Sequence, residues 1–176
     1  NLPVLPNGGD LTVNYRRASR YEKNLFSHVK ANEQTKKYLL ESYYALLVQA
    51  REVLNQDGTV ICSIVGRIPY KIIEQMFERA GYKAEALVTG FKVQTDPWEV
   101  FEGFADAEKN EVVFDFYCYD EAVAALNMQG LEEPFMALSK EELRKKLEPY
   151  KITATQAYGL YKKDSSVRIG HIVYMV

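Results

Sequence analysis

The chain has 176 residues, the size of one domain or of one domain with a small addition. Its 47% hydrophobic content can supply a core, while a net charge of −2 excludes a basic nucleic-acid footprint over the whole length. The apolar runs fall well short of the roughly 18 residues a membrane helix needs, and there is no secretory signal pattern.

The chain begins at Asn1 without a methionine, in the apolar, proline-rich NLPVLP, so its natural beginning is expected upstream. Residues 1–9 read as a loop: Pro3 and Pro6 interrupt regular hydrogen bonding and Asn7-Gly8-Gly9 is turn chemistry. Residues 11–15 suit a short extended piece. In 16–29, Arg16, Arg17, Arg20 and Lys23 stand close together, a solvated face or a small basic lip over an anionic substrate. Residues 32–55 read as one long helix, capped by Asn32 and carrying an apolar stripe through Tyr38, Leu39, Tyr43, Leu47 and Leu54.

The stretch 57–92 is the organising unit. Asp57-Gly58 turns the chain into an apolar run at 59–65, which suits a strand covered on both faces. Pro69 fits the first position of a helix carrying Ile72, Ile73, Met76 and Phe77, and Gly81 fits its left-handed cap. Residues 84–92 read as the next strand. Residues 94–110 show no helical period and read as an aromatic loop opened by Asp96-Pro97. Residues 112–119, VVFDFYCY, have strand composition and are expected to pair antiparallel with 84–92.

Beyond Asp120 the character changes. A short helix at 121–129 precedes a capping box at Ser139-Lys-Glu-Glu, a helix at 153–163 and a closing strand at 167–176. The expected architecture is therefore α/β: a mostly parallel sheet with an antiparallel edge pair over residues 1–120, and a small α/β appendage over 121–176. Cys62 and Cys118 lie in apolar strand segments and read as reduced thiols, which points to the cytoplasm. No Cys/His cluster has metal-ligand spacing. His171, inside an apolar strand, reads as a hydrogen-bonded structural residue, and Asp115 as facing a polar or solvated side.

No complete catalytic motif is present: there is no G-x-G-x-x-G, Walker A loop, H-E-x-x-H or G-x-S-x-G. The order that follows Asn1-Leu2-Pro3-Val4 nevertheless resembles the second half of a class I S-adenosylmethionine-dependent methyltransferase, a Rossmann-like fold. In the amino-directed branch of that family an N-P-P-Y-type loop holds the acceptor nitrogen toward the methyl carbon, so that acceleration comes largely from positioning. N-L-P-V departs from that pattern at two positions, and Val4 lacks an aromatic stacking face.

The resemblance covers about two thirds of the chain and implies Asn1 and Pro3 as catalytic-loop residues. It implies Leu2, Val4, Tyr15, Arg16 and Arg67 as the acceptor side. It also implies S-adenosylmethionine as cofactor, with the glycine-rich loop and acidic residue that hold it lying upstream; no cofactor-binding residue is assigned here. Such a half-domain is expected to require the upstream segment or to self-associate through the exposed sheet edge at 59–65. The competing reading is a complete non-catalytic α/β module binding a protein or small ligand through the aromatic stretch 98–104.

Overall fold

A computed structural model of the chain describes residues 5–7, 20–22, 24–95, 97–128 and 138–176. Two compact units are formed, one from residues 1–61 and 70–84 and the other from 62–69 and 85–176. Among the described residues no helix is long and apolar enough to cross a membrane.

In the first unit, β1 (Leu5–Asn7) pairs parallel with β2 (Arg20–Glu22). The Tyr21 hydroxyl donates to Glu41 at 3.2 Å. Residues 32–55 are two helices, α1 (Glu33–Lys37) and α2 (Glu41–Val53). Asn32 caps α1 as expected, accepting from the Thr35 N–H at 2.9 Å. The break falls at Leu39, whose φ of 58° is left-handed. There the Leu40 and Leu39 N–H groups donate back to the carbonyls of Thr35 and Lys36, a Schellman ending built on leucine instead of glycine.

Helix α3 (Tyr70–Arg79) begins directly after Pro69 and buries Tyr70, Ile73, Met76 and Phe77. Gly81, at φ 83°, ends it with the same bonding pattern, its N–H donating to Glu78 O and that of Tyr82 to Phe77 O. Arg51 of α2 donates to the carbonyl of Ala80 at 3.3 Å, and its guanidinium occupies the space a Cβ on Gly81 would need.

The second unit is built on β7 (Ile169–Met175). β4 (Val88–Val93) lies along one edge of it, from Met175 to Gly170. The opposite edge is shared: β3 (Ser63–Val65) takes Val173–Met175 and β5 (Phe116–Cys118) takes Ile169 and Gly170. β6 (Lys151–Ile152) pairs with the outer side of β5. Every pairing in this five-stranded sheet is antiparallel, which overturns the expected mostly parallel sheet with an antiparallel edge pair.

The physical reason lies in the packing. β5 and β7 are buried on both faces because helices cover both sides of the sheet there, whereas the run 59–65, expected to be covered on both faces, alternates, with Ile61 and Ser63 exposed; burial in either form does not fix strand direction. Helix α4 (Pro97–Ala107) packs Phe101 and Phe104 edge-on to Phe116, with Phe101 also against Tyr161 of α7 (Ala154–Lys163). On the face of Tyr174 lies α6 (Lys140–Leu147). The helix α5 (Tyr119–Met128) follows β5 without a break.

Three further expectations are corrected. Residues 121–176 are not an appendage, because their last strand, β7, is the centre of the sheet. Residues 84–92 do not pair with 112–119; each segment pairs with β7 instead. Residues 94–110 are not a loop. Pro97 starts α4, and Val100, Phe101, Phe104 and Ala107 form its buried stripe, a helical period hidden behind the turn signal Asp96-Pro97. The capping boxes at Ser139 and at Thr153 are both formed.

The Gly81 cap makes a direct prediction. Gly81→Ala adds a left-handed-backbone penalty and forces Arg51 off the Ala80 carbonyl. Urea denaturation is expected to show a loss of about 1–2 kcal/mol, against little change for alanine at the exposed, ordinary helical position Lys71.

Candidate functional site

A buried polar cluster stands where β3 gives way to β5 on the edge of β7. The Gly66 N–H still donates to Ile172 O at 2.7 Å, and then the chain leaves β7. One residue on, the Arg67 carbonyl accepts instead from the Asp115 N–H at 2.6 Å, just before β5 begins. Among the described residues the carbonyls of Gly66 and Ile68 take no backbone N–H at this junction, and buried backbone groups need a partner.

Arg144 of α6 fills that need. Its Nη2 donates to Gly66 O at 3.1 Å and to Ile68 O, its Nη1 to Asp115 Oδ2 at 2.8 Å, and its Nε to the Tyr174 hydroxyl at 2.8 Å. The Arg144 and Asp115 side chains are only 23% and 12% exposed, so the ion pair is poorly screened. Gly66 is required here, because a Cβ would stand 2.6 Å from the Tyr174 ring. Burial, and then the Asp115 charge, push the Tyr117 phenol well above its ordinary value. Burial raises Tyr174 as well, against the opposing Arg144 charge. Both phenols therefore stay protonated, which suits them to hold geometry and not to accept protons.

The other face of the same junction is basic. The β4 register sets Lys92 opposite His171 on one side of β7. The β3 register, continued past Val65–Val173, brings Arg67 beside His171 on the other side. Arg67 is 4% exposed; its guanidinium lies 4.7 Å from the Phe104 ring centroid and 5.2 Å from that of Phe116, and Nη2 donates to Gln94 Oε1. His171 is 2% exposed, and its Nδ1 has no hydrogen-bond partner among the described residues. Burial, followed by the charges of Arg67 and Lys92, holds the imidazole pKa well below 6.5, so the ring is neutral.

Of the residues expected at a site, Asn1, Leu2, Pro3, Val4, Tyr15 and Arg16 lie outside the described residues. Arg67 is described, buried and stacked on aromatic rings. The structure brings it together with His171 and Asp115, which the sequence offered only as separate features. Asp115, expected on a polar or solvated side, faces Arg144. Arg144 itself was concealed in a charged helix that reads as a solvated face. The available signal was its place one residue after Leu143, which with Leu147 forms the buried stripe of α6. In the aromatic stretch 98–104, Val100, Phe101 and Phe104 are core and Trp98 is half exposed, in edge contact with Tyr158. Among the described residues no group of His, Cys, Asp and Glu could hold a metal ion. Comparison with family models and with curated proteins gave no match for this chain.

The neutral, buried His171 sets a pH dependence. Its folded pKa lies below the unfolded value near 6.5, so its contribution is complete above that pH and is lost as the pH falls below it. Denaturation from pH 8 to pH 5 is expected to show stability falling at up to about 1.4 kcal/mol per pH unit from this proton. In His171→Gln that component of the slope should vanish.

Proposed function

We propose that these residues form the carboxyl-terminal portion of a class I S-adenosylmethionine-dependent methyltransferase and supply the acceptor side of its active site. The observation that carries this reading is the course of the chain through β3, α3 and β4. Both strands run antiparallel to β7 on its opposite edges, so they are parallel to each other, and the connection between them is a helix ending at Gly81. The resemblance calls for a strand, a helix ending at A-G-Y and an antiparallel closing pair, and here β4 makes that antiparallel pair with β7 and not with 112–119. The order of elements after N-L-P-V supports the same assignment.

In this reading the side-chain carbonyl of Asn1 accepts a hydrogen bond from the acceptor nitrogen and orients its lone pair, a gain from positioning. Pro3 stiffens the loop, and Leu2, Val4, Tyr15 and Arg16 line the acceptor. The cofactor's own side does not fit the described residues. Among the described residues the one buried carboxylate, Asp115, is engaged by Arg144. No step is therefore assigned to the cofactor here. β3 ends the path of paired strands, so its outer edge is where the upstream segment or a second copy would add. The free thiols of Cys62 and Cys118 support a reducing, cytoplasmic setting as part of the same proposal.

Calorimetric titration of S-adenosylmethionine tests the reading, using this chain and the chain preceded by its upstream coding sequence. Saturable binding by the extended form alone is expected. Binding by neither would overturn the proposal, and equal binding by this chain alone would overturn its half-site part.

A further inference from the structure

Residues 33–53 contain neither glycine nor proline, and their composition favours one continuous helix, yet the helix breaks at Leu39. Three features of the junction disfavour that break. Leu39 takes a left-handed backbone that glycine adopts freely and leucine resists. Helix α2 starts without a side-chain cap, since its N-cap position is Leu40. In its first turn the Ser42 hydroxyl is buried with no hydrogen-bond partner among the described residues.

A continuous helix removes all three at once. Leu39 returns to right-handed backbone, and the first N–H groups of α2 find carbonyls one turn earlier. The Ser42 hydroxyl gains the Tyr38 carbonyl, four residues before it, as an acceptor. Other groups hold the bend. Thr35, Leu39 and Leu40 are buried in it, and the N–H groups of Leu39 and Leu40 close the end of α1. A bond from outside the segment adds to these, as the Tyr21 hydroxyl of β2 donates to Glu41 in the first turn of α2. Burial, and then the Glu41 charge, keep that phenol protonated, and its ring packs edge-on to Phe26 at 4.9 Å.

We propose that residues 33–53 are a two-state element in which the bent α1–α2 pair exchanges with one continuous helix, Leu39 being the pivot and the Tyr21–Glu41 bond the latch. The bent form is the major state because it buries both leucines and keeps the latch. The three flaws of the bend hold the continuous form close to it in free energy. Since β2 is paired with β1, the latch joins the helix to that ladder, and any displacement of β2 that parts Tyr21 from Glu41 shifts the balance toward the continuous helix. This assignment is independent of the methyltransferase reading, since it uses neither Asn1–Val4 nor the cofactor.

Pulsed electron–electron double resonance between spin labels at Glu33 and Gln49, both exposed, tests the exchange in the full chain. The labels are attached through a ketone-bearing amino acid, so that Cys62 and Cys118 stay native. A continuous helix sets the two positions about 24 Å apart along its axis, and the bend brings them closer. A main population at the shorter distance and a minor one at the longer are expected. Tyr21→Phe keeps the ring and removes the latch, and it should raise the ratio of long to short roughly fivefold, as loss of one hydrogen bond gives. Leu39→Gly suits the left-handed backbone and weakens a helix interior, so the long population should disappear. A single short distance in both the unaltered chain and Tyr21→Phe, no rise in Tyr21→Phe, or a long population that survives in Leu39→Gly would overturn the proposal.

Discussion

The second unit depends on Arg144. A strand edge that is occupied first by β3 and then by β5 has a seam, and at the seam backbone carbonyls lose their ladder. One guanidinium, with its donors in a fixed planar fork, reaches two of those carbonyls, a carboxylate and a phenol at once. Lysine has neither the reach nor the geometry to replace it. Breaking a buried pair of this type by removing one partner typically costs about 3–5 kcal/mol, because the remaining charge stays buried and unpaired. Asp115 enters the arrangement twice, through its N–H on Arg67 O and through its carboxylate on Arg144, so it fixes both the path of β3 and the seat of α6.

The two faces of the seam are electrostatically unlike. Under α6 the positive charge of Arg144 is answered by Asp115. Under α4, Arg67, His171 and Lys92 follow one another across the sheet, and the imidazole is held neutral. A fold can tolerate a buried neutral histidine, but the sequence places a cation on each side of it.

Local signals in the sequence were sound guides to local structure. The serine capping box, the asparagine cap, and the proline and glycine that bracket α3 act through groups a few residues apart, and each formed. Sheet direction was not legible in the same way. A run such as VVFDFYCY states that both faces are buried but not which segment lies beside it, and β7, more than fifty residues later, proved to be the neighbour of β3, β4 and β5. The seam was hidden for the same reason, since Gly66, Asp115, Arg144 and Tyr174 meet only through tertiary packing. Helix α4 was lost to a local ambiguity, because Asp-Pro opens turns and helices alike. Of the candidate site, Arg67 and His171 were visible as residues, but their adjacency was not.

The methyltransferase reading draws on chain order and on the parallel relation of β3 and β4, whereas the seam stands on side-chain geometry alone. Native-state hydrogen exchange tests that seam most directly. With the fold as described, the amides of Gly66 and Asp115 exchange as slowly as those of Cys62 and Tyr119, which flank the seam along β7. In Arg144→Met, Gly66 and Asp115 should lose protection together. Fast exchange at these two amides in the unaltered chain, or protection that survives Arg144→Met, would contradict the account.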